Sequence, residues 1–123
     1  MDDHMISARL EELRLLKDGW CEGSGSAPAS AGIDWLSDAF ARSYPEALPL
    51  PHVYPTSEGG IRLEWTLGPH DVTLDIDLEK HEATLHALNL DSVEEREDEL
   101  NLAEPAVWVR LIEQIQRIAG ESA

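Results

Sequence analysis

Three residues near the middle of the chain, Glu64, Asp75 and His86, have side chains that can bind divalent metals or exchange protons. Each lies in a stretch of alternating apolar and polar residues, which is typical of a half-buried strand. If the strands pair so that apolar residues face one another, Glu64 lies directly across from Asp75, and Asp75 lies directly across from His86. Directly opposed Cβ atoms are ~4.5–5.5 Å apart, where like charges are destabilising. We therefore expect the two carboxylates to require a compensating positive charge.

Three kinds of positive charge would meet this requirement. A protonated His86 would neutralise Asp75, with Arg62 nearby, because a neighbouring carboxylate favours the imidazolium. Alternatively, Glu64, Asp75 and His86 would bind a divalent metal and form an open hydrolytic or redox site. In the third case a partner protein brings a Lys or Arg onto these residues. The residues themselves leave the three alternatives open, and a plain solvated face is the commonest case.

Three short strands must position these residues, and each shows a period of two: residues 61–67, 72–78 and 83–89. A four-residue loop at 68–71 and a tight turn at Lys80-His81 give the register in which apolar residues pair throughout. In this register Leu67 faces Val72 across the first hairpin.

The segments beside these strands are extended or form turns. Residues 48–55 are rich in proline, which suits the edge of a sheet. For the acidic stretch 91–100, the sequence leaves open whether a short strand lies at its end. Gly59 and Gly60 lie between two extended segments and are not followed by the lysine of a phosphate-binding loop, so we expect a hairpin turn there.

Helices are expected at both ends of the chain. The first carries apolar residues at helical spacing: Ile6, Leu10, Leu13, Leu16 and Trp20. A second helix begins near Ser30, a residue type favoured at the N-cap, and ends before Pro45. A last helix starts near Pro105 and contains Trp108. The sequence predicts one α+β domain over residues 1–123, an antiparallel β-meander of three to five strands with two N-terminal helices and one C-terminal helix packed on one face.

The charge of the chain is its strongest overall signal. Twenty-five acidic residues against nine basic ones give a formal net charge of −16 over 123 residues. Such a field repels nucleic acid and anionic lipid, and it attracts basic protein surfaces. We therefore expect a basic protein partner, no direct binding of nucleic acid and no membrane association. A solubility charge without a partner is the alternative.

Two further features of the sequence indicate the cellular compartment of the protein. No run of apolar residues approaches the ~18–20 needed to cross a bilayer. A single cysteine, Cys21, excludes an internal disulfide and a zinc site built from several cysteines. These features predict a cytoplasmic protein without a cofactor.

Five stretches of the chain resemble a group of small, acidic bacterial proteins encoded in mobile and defence regions: LKDGWCEGSGSAP, YPTSEGGIRLEW, LDIDL, HALNL and EPAVWVRLIEQI. The resemblance covers most of the chain, and the hairpin motif YPTxEGGxxxEW is its most specific part. It implies a partner-binding or regulatory role, and no catalytic residues are carried over from it.

The leading hypothesis is a non-enzymatic protein-binding module, an antitoxin-like or anti-defence inhibitor that docks by charge mimicry on a nucleic-acid-binding surface. The candidate partner-binding residues are Glu64, Asp75, Asp77, His86, Glu94, Glu95, Glu97, Asp98 and Trp35. Trp35 is one position off the apolar line of the second helix, which is compatible with burial or with a partner anchor. The alternatives are a metal-dependent enzyme that uses Glu64, Asp75 and His86, and a homodimer joined through the sheet edge or the Trp35 side.

Overall fold

A computed structural model describes residues 3–45 and 48–121 of the chain. The helices are α1 (Asp3–Arg14), α2 (Ser30–Ser43) and α3 (Pro105–Glu121). The strands are β1 (His52–Pro55), β2 (Ile61–Leu67), β3 (His70–Asp77), β4 (Glu82–Asn89) and β5 (Glu94–Asn101).

The five strands form one antiparallel sheet in the order β1-β2-β3-β4-β5, so every strand pairs with its neighbour in the chain. Strand β2 buries every second residue, and the buried set lies against the helices. The predicted α+β meander is thereby confirmed, with both the edge segment before Gly59 and the acidic stretch forming strands. We call the sheet face that carries no helix the open face.

The first two helices differ in detail from the prediction. Helix α1 ends at Arg14, so Trp20 lies in the following turn and its indole Nε1 donates to the Ser26 carbonyl at 2.8 Å. Ser30 is the first residue of α2, and the N-cap is Ala29, which has no side-chain hydrogen bond to the helix. Arg14 instead joins the two helices, because its guanidinium donates to Asp34 at 2.6 Å.

The first hairpin is tighter than expected. Leu67 pairs with His70, which leaves only Gly68 and Pro69 in the turn. Gly68 has φ 61°, and glycine at the first central position is typical of a type II′ hairpin turn. The predicted register, with Leu67 opposite Val72, is therefore wrong by two residues. A shift of two keeps every side chain on its predicted face.

The second hairpin is looser than expected. Asp77 pairs with Glu82, so the connection contains four residues instead of the tight turn predicted at Lys80-His81. The Asp77 carboxylate accepts the backbone N–H groups of Glu79 and Lys80 at 3.0 and 3.1 Å. The His81 N–H donates to the Asp77 carbonyl, and His81 closes the loop with φ 58°.

The connection between β4 and β5 repeats this design. Asn89 accepts the N–H groups of Asp91 and Ser92 through its side chain at 2.9 and 3.2 Å. The Val93 N–H donates to the Asn89 carbonyl, and Val93 has φ 60°. An Asp or Asn at the end of a strand thus caps each of the two four-residue loops.

The Gly59-Gly60 pair lies in the β1–β2 connection, as predicted. The Gly60 N–H donates to Thr56 Oγ1 at 2.9 Å, and Gly59 has φ 83°. A Cβ atom at Gly60 would lie 2.4 Å from the Ile76 carbonyl oxygen, so only glycine fits this approach of the turn to β3. Within the described ranges, none of the helices is long and apolar enough to cross a membrane.

Candidate functional site

The shift in register changes which polar residues meet on the open face. Glu64 lies opposite Thr73 instead of Asp75, and Thr73 lies opposite His86. Asp75 lies between Arg62 on one side and Thr84 on the other. The predicted opposition of Glu64 to Asp75 and of Asp75 to His86 is therefore wrong.

Arg62 supplies the positive charge that the carboxylates were expected to require. Its Nε and Nη2 atoms donate to the two carboxylate oxygens of Asp75 at 2.6 and 3.2 Å. This bidentate hydrogen bond raises the pKa of Arg62, and the negative charge of Glu64 acts in the same direction. Because both partners are partly exposed, the pair holds two neighbouring strands in register more than it contributes stability.

His86 lies toward the acidic edge strand. Its Nε2 atom is 3.7 Å from Glu95 Oε1, and the residue directly opposite on β5 is Glu97. Among residues 3–45 and 48–121, no group of three or more His, Cys, Asp or Glu side chains has the arrangement of a metal site. The structure thus does not bring Glu64, Asp75 and His86 together in the predicted way.

The open face is uniformly acidic. Apart from Arg62, Tyr54 and two histidines, every ionisable side chain that the strands place there is a carboxylate. These carboxylates are Glu64, Asp71, Asp75, Asp77, Glu82, Glu95, Glu97 and Glu99. We call this set the acidic face. Successive carboxylates along β5 are spaced by two residues, about 6.8 Å in an antiparallel strand.

Strand alternation divides the carboxylates that the sequence grouped together. Glu95 and Glu97 lie on the open face, whereas Glu94 and Asp98 lie on the helix side of β5. Asp98 is half-buried opposite Leu85, and its Oδ2 lies 3.3 Å from Arg96 Nε. Asp98 is therefore engaged within the fold, and it does not contribute to the acidic face.

A cleft lies at the end of the sheet formed by the β1–β2 connection and the β3–β4 loop. The cleft has a volume of about 1410 Å³. It extends from Trp35 on α2, around the end of the sheet, to Glu64 and Asp75 on the open face. Trp35 is half-buried against the core, and its ring is stacked on His81 with centroids 3.8 Å apart. The only predicted site residue on a helix thus lies in the wall of this cleft.

Several residues of this region carry charge or aromatic surface that the sequence did not single out. Glu82 and Glu99 lie on the acidic face, and continuing the two-residue alternation to the strand ends would have found them. Tyr54 on β1, Glu58 in the β1–β2 connection and Glu79 in the β3–β4 loop line the cleft. No local pattern links Glu79 to the other two residues, so only the tertiary structure reveals that it lies close to them.

Comparisons with the models of known protein families, with curated proteins and with solved structures find no match to this chain. The resemblance to small acidic bacterial proteins therefore stays a prediction. The charge and geometry of the acidic face and of the cleft carry the functional argument.

Proposed function

We propose that this protein is a non-enzymatic binding module whose acidic face docks on a basic surface of a partner protein. The observation that supports this most directly is the composition of the open face, because Arg62 is the only Lys or Arg that the strands place on that face, Arg96 of β5 lying on the helix side. Its charge is already engaged by Asp75. Apart from Asp77, which accepts the N–H groups of the β3–β4 loop, and Glu95, which lies 3.7 Å from His86, the remaining carboxylates are available to pair with Lys and Arg of a partner.

The sharper form of the proposal is inhibition by mimicry of nucleic acid. The carboxylates of the acidic face are arranged in rows on a rigid sheet, with strands ~4.8 Å apart. Surfaces that bind nucleic acid are rich in Lys and Arg that contact phosphates, and they would accept such a carboxylate array in place of the phosphates. An antitoxin-like or anti-defence inhibitor in the bacterial cytoplasm would use this array to occupy the nucleic-acid site of its target.

The physical basis of this binding is electrostatic steering. A surface of one sign accelerates encounter with an oppositely charged partner, and salt screens the attraction with a Debye length of about 8 Å at physiological ionic strength. We therefore expect affinity to fall steeply as salt is added. A homodimer through the β5 edge would place acidic strands side by side, so a basic partner is the better match for this edge.

The test begins with affinity capture from a bacterial lysate at low salt, about 0.05 M, followed by elution with a salt step. The captured protein is purified, and its affinity for this chain is measured by calorimetry at several salt concentrations. A competition assay then asks whether this chain displaces duplex DNA or RNA from the captured protein.

A matched pair of variants makes the test specific for the acidic face. Glu97→Gln/Glu99→Gln removes two charges from the open face, whereas Glu104→Gln/Glu113→Gln removes two exposed charges at and near α3. We expect the first variant to weaken binding several-fold and to reduce the salt dependence, and the second to behave like the wild type. Equal affinity of the two variants, or binding unchanged at about 1 M salt, would contradict the proposal.

A further inference from the structure

We infer that the cleft at the end of the sheet receives an arginine side chain of the basic partner. This inference rests on the proposed function, and it names the residue type that anchors the partner and the place where it binds. The cleft is continuous with the acidic face, because Glu64 and Asp75 line one end of it and Trp35 lines the other. A partner bound on the open face can therefore place one side chain at the end of the sheet.

The charge of the cleft selects a cation. Glu58, Asp77 and Glu79 line it in addition to Glu64 and Asp75, and the one Arg in its wall, Arg62, is bound to Asp75. The N-terminus of α2 lies beside the cleft, and the positive end of a helix dipole favours an anion. The negative charge of these carboxylates outweighs the half charge of the helix dipole. A positively charged side chain fits this wall, and a phosphate does not.

The aromatic residues of the cleft favour arginine over lysine. Tyr54 is 41% exposed, and Trp35 is half-buried with its ring stacked on His81. A guanidinium is planar and weakly hydrated, so it stacks on aromatic rings while its N–H groups bind carboxylates. An ammonium group can satisfy the carboxylates, but it gains less from the rings.

Trp35 also provides a specific reporter of the cleft. The indole N–H groups of the other three tryptophans donate to protein acceptors: Trp20 to Ser26, Trp65 to Tyr44 and Trp108 to Leu102. The described residues offer no hydrogen-bond acceptor to the Trp35 indole N–H. Its NMR signal should therefore respond to a ligand in the cleft while the signals of Trp65 and Trp108, whose indole N–H groups donate inside the core, stay in place.

The experiment titrates ¹⁵N-labelled protein with an octa-arginine peptide and, separately, with an octa-lysine peptide. We expect octa-arginine to bind about fivefold more tightly, which is the ratio expected from one cation–π contact. We also expect it to shift the Trp35 indole signal and to leave the signals of the buried Trp65 and Trp108 indoles in place. The variant Glu58→Gln/Glu79→Gln should lose this preference, whereas Glu104→Gln/Glu113→Gln should keep it.

A second variant, Tyr54→Leu, tests the aromatic contribution at an exposed position that the fold tolerates. It should reduce the preference for arginine without changing the affinity for octa-lysine. If both peptides bind equally and the Trp35 signal stays in place, the cleft inference is wrong while the acidic-face proposal stands. If neither peptide binds at low salt, both proposals fail.

Discussion

The imidazole of His81 lies parallel to the indole of Trp35, with ring centroids 3.8 Å apart. His81 closes the β3–β4 loop at φ 58°, and Trp35 lies on α2, so this stack ties a loop in a rarely populated conformation to a helix far away in the chain. The stack covers one face of each ring, and this packing offsets part of the backbone cost at His81.

Val93 occupies the same loop position as His81 without a compensating contact. It has φ 60°, it is β-branched, and it is 74% exposed, so its side chain contributes little to packing. We expect Val93→Gly to raise the free energy of unfolding by about 0.5–1 kcal/mol, because relief of strain exceeds the added entropy of the unfolded chain. Urea denaturation measures the change.

The matched control is His81→Gly, which relieves the same backbone conformation but removes the stack on Trp35. It should give a smaller gain than Val93→Gly, or a net loss of stability. Equal gains at both positions would show that the stack contributes nothing.

Gly60 allows the β1–β2 connection to approach β3. An added Cβ would lie 2.4 Å from the backbone carbonyl oxygen of Ile76, which cannot move aside without disturbing the β2–β3 pairing. We expect Gly60→Ala to lower the free energy of unfolding by about 1–3 kcal/mol, measured by urea denaturation. Gly120→Ala is the control, because no heavy atom lies within 4 Å of its Cβ position. A Gly60→Ala variant as stable as wild type would contradict this close approach.

The Arg62–Asp75 pair tests the register of the β2–β3 hairpin. A double-mutant cycle with Arg62→Met and Asp75→Asn should give a coupling energy of about 0.5–1 kcal/mol, the upper part of the range for exposed ion pairs, because the contact is bidentate. The same cycle with Asp77→Asn should give a coupling near zero. A larger coupling energy of Arg62 with Asp77 than with Asp75 would instead support the register in which Arg62 faces Asp77. Chemical denaturation of the single and double variants provides the energies.

Tyr44 gives the protein a stability change at alkaline pH. Its hydroxyl donates to the Pro49 carbonyl and accepts from Trp65 Nε1 at 2.9 Å. Burial disfavours the phenolate and raises the pKa of Tyr44 to about 12 from 10.0, although the hydrogen bond from Trp65 acts in the opposite direction. The folded state therefore retains a proton that the unfolded state releases between pH 10 and 12.

The titration of Tyr44 should accordingly leave the free energy of unfolding independent of pH below pH 10 and lower it as the pH rises from 10 to 12. Tyr44→Phe should remove this part of the pH dependence and cost about 1–3 kcal/mol at neutral pH, because the Trp65 N–H and the Pro49 carbonyl lose their partner. Urea denaturation of both proteins across this pH range measures the difference in slope. Parallel slopes would show that Tyr44 does not titrate as described.

Much of the fold could be predicted from local patterns. The alternation in β2 and β3 assigned their side chains to the correct faces, and the glycines after Thr56 indicated a turn. The pairing register could not be obtained in this way, since a slip of two residues still pairs Ile61, Leu63 and Trp65 with apolar residues of β3 and changes only the partner of Leu67 to a polar one, His70. The residue types of the two turns do indicate the register: Gly68-Pro69 forms a two-residue turn, and Asp77 at the end of β3 caps the following loop.

Some features of the candidate site could likewise be predicted from the sequence, and others depend on the tertiary structure. The negative charge of the open face follows from residue types and alternation, which are properties of the chain alone, and these led to Glu95 and Glu97. The partner of Arg62 depends on a pairing offset that the apolar pattern does not specify. The cleft depends on Trp35, Tyr54 and Glu79, which are distant in the chain and meet because α2, the end of β1 and the β3–β4 loop lie at the same end of the sheet. Packing between distant segments creates such a site, so no local spacing records it.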